Sequence, residues 1–254
     1  MARRPSFHPT VTVTLVASLA LGLGACHKSD NSGSAAGAPV AAVAAPTGLQ
    51  WSDIVAKTAD GGLVMGNPNA AIKIVEYGSL SCPHCAHLSQ ESMGKLVPTY
   101  VNSGKVSFEY ISFAIHPQDV PLTVLVRCAD PTASFGLIEQ IYANFDPMQV
   151  RMEQGIKQAQ AAMSLPPTQR YGTLADALGY TDFFAARGVP TEKAHACLAD
   201  TSAAQAVANQ ADAISAKNID STPTIFVNGA KIEPPSGAEM SWGVLETALK
   251  NAGA

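Results

Sequence analysis

One stretch of the chain restricts its fold more than any other. Ala71-Ile72-Lys73-Ile74-Val75-Glu76-Tyr77 is a β-rich run of strand length that follows the turn residues Gly66-Asn67-Pro68-Asn69. Within a few positions it reaches Ser81-Cys82-Pro83-His84-Cys85-Ala86-His87. Strand side chains alternate between faces, so Ile72, Ile74 and Glu76 share a face and a carboxylate stands in apolar company. After the cysteines, Leu88, Met93, Leu96 and Val97 supply the apolar stripe of a helix running to about Tyr100, so the cysteine pair opens that helix. Val106 to Ile111 alternates as a second strand, and strand, helix, strand implies a parallel pair in an α/β fold.

From Pro121 to Asn218 the pattern turns helical. Leu137, Ile138, Ile141 and Phe145 recur at three and four, Thr191 is a candidate cap ahead of the run carrying Cys197, and Val207, Ala211 and Ile214 repeat the spacing. The β character returns at Thr224-Ile225-Phe226-Val227. There Asn228-Gly229 predicts a hairpin with Ala230-Lys231-Ile232-Glu233, and Trp242, Leu245 and Leu249 mark one face of a last helix.

The N-terminus reads differently. Arg3 and Arg4 precede an apolar run from Val11 to Leu23 that is short for a membrane span, and it ends in Leu23-Gly24-Ala25-Cys26, similar to a bacterial lipobox in which the cysteine is acylated. Residues 29–48 are Ser, Gly, Ala and Pro with almost no charge, the composition of a flexible tether. The chain therefore divides into a signal segment 1–25, a tether 26–50 and a domain 51–254 with a helical insertion at about 118–218. A lipid anchor at Cys26 would hold that domain at a membrane on the extracytoplasmic or periplasmic side, where thiols can pair. Of 16 basic and 20 acidic residues, Arg3 and Arg4 leave with the signal, so the remainder carries 14 against 20, a net of −6. That balance attracts no polyanion, and nucleic acid is not an expected partner.

With Cys26 set aside, Cys82, Cys85, Cys128 and Cys197 allow three pairings, and the tight spacing favours Cys82 with Cys85. A haem attachment site needs histidine where Ala86 stands, which excludes it. A structural zinc site wants four ligands, and Cys128 and Cys197 are isolated, so Cys82, Cys85 and His84 or His87 form an incomplete set and no metal or cofactor is expected. A redox pair explains more. A cysteine at a helix start meets unpaired N–H groups and the positive dipole end, which can lower its pKa from about 8.5 to roughly 3.5–7.5. His84 adds donor or positive character, and a stabilised thiolate makes the disulfide a better oxidant. Cys82 at the exposed helix start is then the sulfur attacked, and Cys85, one turn further in, the one released.

These residues, followed by Thr222-Pro223-Thr224 ahead of the hairpin, resemble the thioredoxin superfamily over about residues 60–250, and Cys82-Pro83-His84-Cys85 resembles the active site of DsbA-type thiol oxidases. The resemblance implies a thioredoxin fold with a helical insertion, a cis Pro223 facing the active disulfide, and a Thr222 backbone placed to bind an extended substrate. It also implies a buried acid at Glu76 assisting Cys85, and reoxidation by a membrane quinone-linked partner. Cys128 and Cys197 are expected to form a structural disulfide, with free thiols or a second redox couple as alternatives. The expected function is a dithiol oxidase for reduced or unfolded exported proteins. An isomerase or reductase of the same fold is the alternative, and a membrane-tethered metal-binding protein or metallochaperone a lesser one. The short stretch before Gly61 leaves no room for the N-terminal dimerisation domain of related isomerases, so a monomer is expected.

Overall fold

The computed structural model describes residues 37–254; the signal segment and Cys26 lie outside the described residues. Six strands, β1 (Val55–Lys57), β2 (Leu63–Gly66), β3 (Ile72–Gly78), β4 (Val106–Ser112), β5 (Thr224–Val227) and β6 (Ala230–Lys231), form one sheet in the order β1-β2-β4-β3-β5-β6. The run that precedes the cysteines becomes β3, at the middle of the sheet. It pairs in parallel with β4, from Ile72 opposite Val106 to Gly78 opposite Ser112, and antiparallel with β5, from Ile74 opposite Val227 to Tyr77 opposite Thr224. A central strand is covered on both faces, which its apolar content allows. Ile72, Ile74 and Glu76 are buried beneath α1 (Pro83–Leu96), while Tyr77 packs on the other face with Ile111, Phe113, Ile214 and Ile219. Each such fully buried aliphatic side chain contributes about 1.5–3 kcal/mol.

The predicted strand, helix, strand unit is β3-α1-β4. The helix expected to reach Tyr100 is α1 followed by a wider π turn, Val97–Val101, in which the Asn102 N–H reaches back to the Val97 carbonyl at 2.9 Å. Pro98 supplies the reason, because it has no N–H to give and its ring crowds the preceding turn.

Between β4 and β5 the described chain holds α2 (Asp119–Cys128), α3 (Pro131–Ala143), α4 (Phe145–Ala162), α5 (Pro167–Ala177), α6 (Tyr180–Ala185), α7 (Thr191–Ala199) and α8 (Thr201–Ser215), and α9 (Trp242–Asn251) closes the chain. Start signals are local: the Asp130 carboxylate accepts from the Thr132 N–H at 3.0 Å and Asp200 from the Ser202 N–H at 2.9 Å. Thr191 is not the cap of α7. Pro190 holds that position in extended geometry and Thr191 is the first helical residue, so the backbone turn rather than a hydroxyl starts the helix. The hairpin after β5 is shorter than its sequence pattern, β6 ending at Lys231, because Pro234 and Pro235 cannot continue a ladder.

Two elements were not anticipated. The hairpin β1-β2 adds to the free edge of β4, from Leu63 opposite Tyr110 to Gly66 opposite Ser107. Its strands are too short to alternate visibly, although Asp60-Gly61-Gly62 between them carries a turn signal. Residues 37–50, part of the expected tether, lie along the domain from their first described position. The Gly37 N–H donates to the Asn251 carbonyl (2.6 Å), Val40 N–H to Gly253 (2.8 Å) and Val43 N–H to Ser103 (2.9 Å), while the Trp51 indole N–H donates to the Val43 carbonyl (2.7 Å). The contact depends on bare backbone: Gly253 and Gly104 have positive φ, and a Cβ on either would run into the Ala38 or Val43 carbonyl. Small residues in the strap let it lie this close.

Candidate active site

Cys82 occupies the N-cap of α1 in extended geometry, and Pro83 takes the first helical position, where the missing N–H costs nothing. The two thiols are unbonded. Cys85 is fully buried and Cys82 only 5% exposed, so the outer sulfur is more covered than a bare helix start would leave it. The cover is the Thr222–Pro223 loop, whose peptide bond is cis and whose Thr222 carbonyl lies 3.4 Å from the Cys82 sulfur. Beside that loop runs a groove of about 340 Å³ lined by His84, Thr222, Pro223, Ile232, Glu239 and Met240 among others.

The electrostatics separate the two sulfurs. The Cys82 pKa is lowered to about 5, first by the Cys85 thiol donating to it and then by the Thr222 hydroxyl and the backbone N–H groups of Cys85 and His84, all working against partial burial. The Thr222 hydroxyl has no other partner among the described residues and is free to turn toward the thiolate. Cys85 is pushed well above its ordinary value, mainly by burial and then by its bond to Cys82. One sulfur is therefore a stable anion at neutral pH while its neighbour stays protonated.

Glu76 lies in the same buried region, 7% exposed, with Oε1 unpartnered among the described residues. Burial, and secondarily the charge at Cys82, raises its pKa to about 8. Gly78 makes the space, since a Cβ there would stand 2.6 Å from the Tyr110 ring and 3.0 Å from Glu76 Oε1. His84 lies on the groove rim with Nδ1 3.2 Å from Glu239 Oε2, and His87 is 3.6 Å from Glu91. Among the described residues no three His, Cys, Asp or Glu side chains converge as a metal set. Cys128 and Cys197 are joined far along the chain, S–S 2.01 Å, tying α2 to α7.

A polar network behind the motif escaped the sequence reading. Asp119, fully buried at the start of α2, accepts from the Ser79 hydroxyl at 2.9 Å, the Ser81 N–H at 2.9 Å and the His116 N–H at 3.0 Å. It thereby clamps the three residues that lead from β3 into Cys82. Tyr142 donates to the Ser79 carbonyl at 3.0 Å and receives Tyr110 at 2.8 Å, and burial pushes both phenols well up so that they stay protonated. An acid at a helix start reads as an ordinary first-turn residue, and nothing local signals that it turns inward. Glu239 was missed because only the fold brings it to His84.

Residues 58–246 match the thioredoxin family profile. A curated relative from Rickettsia prowazekii, provisionally named a protein-disulfide oxidoreductase, is 28% identical over 73% of this chain, and one from Rickettsia conorii is 29% identical over 69%. The chain spans 61% and 56% of the length of these two relatives. A crystal structure described as a protein-disulfide isomerase from Novosphingobium aromaticivorans superposes with a TM-score of 0.68 at 27% identity, covering 76% of this chain and 97% of that one. Wolbachia pipientis alpha-DsbA1 shares the fold with a TM-score of 0.55 at 20% identity, covering 73% and 87%. The profile covers well over half of the chain, and the chain belongs to the thioredoxin family, in a DsbA-like form of the fold with a helical insertion.

Proposed function

We propose that the protein is an extracytoplasmic thiol:disulfide oxidoreductase working as a dithiol oxidase on reduced, exported proteins. The observation that carries the reading is the split between the sulfurs: Cys82 favours the anion and Cys85 the thiol, which favours the reduced pair and makes the disulfide ready to accept electrons. In the oxidised enzyme a substrate thiolate attacks Cys82 Sγ, the Cys82–Cys85 bond breaks, and Cys85 leaves. Glu76, protonated at neutral pH because it is buried, gives that sulfur its proton. A second substrate thiolate then attacks the substrate sulfur of the mixed disulfide and expels Cys82 as a stabilised thiolate. The substrate loses two electrons and the cysteine pair gains them, so a membrane redox partner must reoxidise it. The Thr222 backbone and the groove beside Pro223 bind the substrate chain as an extended segment. Lipidation at Cys26 would hold the domain, as a monomer, at its membrane.

The name of the Novosphingobium structure favours a second reading, an isomerase kept reduced by a partner. The in vivo state of Cys82 and Cys85 separates them: mostly oxidised for an oxidase, mostly reduced for an isomerase. Purified protein should oxidise a reduced, unfolded substrate stoichiometrically, and Cys82→Ser should abolish this. A Cys82→Ser protein with full activity would refute the assignment of the attacked sulfur.

A further inference from the structure

A second cavity lies away from the peptide groove, between the β2-β4 face and helices α2 and α3. Its volume is about 210 Å³, and Leu63, Leu80, Val126, Ile138 and the Tyr110 ring supply its apolar side. Most of its wall hydroxyls are engaged within the protein, Thr58 accepting from the Gly62 N–H at 3.0 Å. Ser112 and Thr123 bond each other at 2.6 Å, and Ser134 donates to the Val126 and Asp130 carbonyls at 3.1 and 3.0 Å. Lys57 also lines it, and its charge acts weakly on the Asp130 carboxylate nearby.

Arg127 is different. Its Nη2 donates to the Gly61 carbonyl at 3.3 Å and to Gln210 Oε1, both neutral acceptors, and it has no carboxylate partner among the described residues. The nearest acid of the Thr58–Gly62 turn, Asp60, is engaged by Lys217 at 3.3 Å. Burial pulls the Arg127 pKa below its ordinary value, as expected of a cation partly removed from water without a counter-charge. Guanidinium groups in that position bind carboxylates through two parallel N–H donors.

We propose that this cavity is a binding site for a small monocarboxylate with an apolar tail, its head on Arg127 and its tail against Leu63, Leu80, Val126 and Ile138. At roughly 30 Å³ per small group the volume holds a tail of about seven carbons, so octanoate is a suitable probe. A basic side chain in the lining of a mostly apolar cavity selects for charge as well as shape. The site does not depend on the proposed redox activity, because it shares no residue with the peptide groove.

Octanoate titrated into the purified protein should shift the methyl resonances of Leu63, Leu80, Val126 and Ile138 with a Kd below about 1 mM, and octanol should bind at least about tenfold more weakly. Arg127→Met should bring octanoate down to the octanol level, and Ile138→Phe, which fills the space, should remove both. Absence of shifts at several millimolar octanoate would overturn the site. Equal affinity for octanoate and octanol on the unaltered protein, or unchanged octanoate affinity in Arg127→Met, would overturn the role of the guanidinium. The octanoate-to-octanol ratio needs no variant and decides even where Arg127→Met fails to fold.

Discussion

At the scale of single residues, Glu76 and Asp119 are two buried carboxyls with opposite surroundings. Glu76 has no donor, so burial raises its pKa to about 8. In the unfolded chain the acid ionises near pH 4.5, while in the folded chain it holds its proton to about 8. Its contribution to stability is therefore complete below pH 4.5 and is lost as the pH rises to about 8. Denaturant titration of Glu76→Gln should show little change at pH 4 and a gain of roughly 2–4 kcal/mol at pH 8, with slower substrate oxidation at neutral pH because the proton for Cys85 is gone. Asp119, by contrast, has three donors at 2.9–3.0 Å from Ser79, Ser81 and His116. Asp119→Asn should cost about 2–4 kcal/mol and, by loosening the loop that aims the α1 N–H groups at Cys82, raise the Cys82 pKa by about one unit, read from thiolate absorbance. Conservative Ser79→Ala should produce a smaller shift in the same direction. The sulfur chemistry was legible in four consecutive letters, and Glu76 in strand alternation. Asp119, Tyr110 and Glu239 were not, because partners 25 to 155 residues away from the motif meet it only through the fold.

At the scale of elements, β3, α1, β4 and β5 could be read because each has the period of its own geometry and a turn signal at its end. β1 and β2, at three and four residues, could not, since alternation needs length to be visible; the equally short β5 was read through the Asn228-Gly229 turn after it. The strap at 37–50 has tether composition yet hydrogen bonds to the chain end, which the bare backbone of Gly104 and Gly253 permits together with the small residues of the strap. The Cys128–Cys197 bond closes a separation of 69 residues and fastens α7 to α2. Its removal in Cys128→Ser/Cys197→Ser should lower the unfolding free energy by about 4 kcal/mol, measured by denaturant melts, while leaving Cys82 titration in place. Loss of exchange activity without loss of stability would instead make that pair a second redox couple.

At the scale of the whole molecule, a sheet with its parallel pair at the centre delivers a helix start, a cis-proline loop and a buried acid to one spot, and the helical insertion covers that spot from behind. In the proposed oxidase reading, the arrangement stabilises the reduced pair through the Cys82 anion, and that bias draws electrons from substrate to enzyme. The equilibrium reduction potential of the Cys82/Cys85 couple tests this most directly. Equilibration of the purified protein against glutathione buffers at pH 7 should give a value more positive than about −180 mV, and a value at or below about −230 mV would contradict the oxidase account.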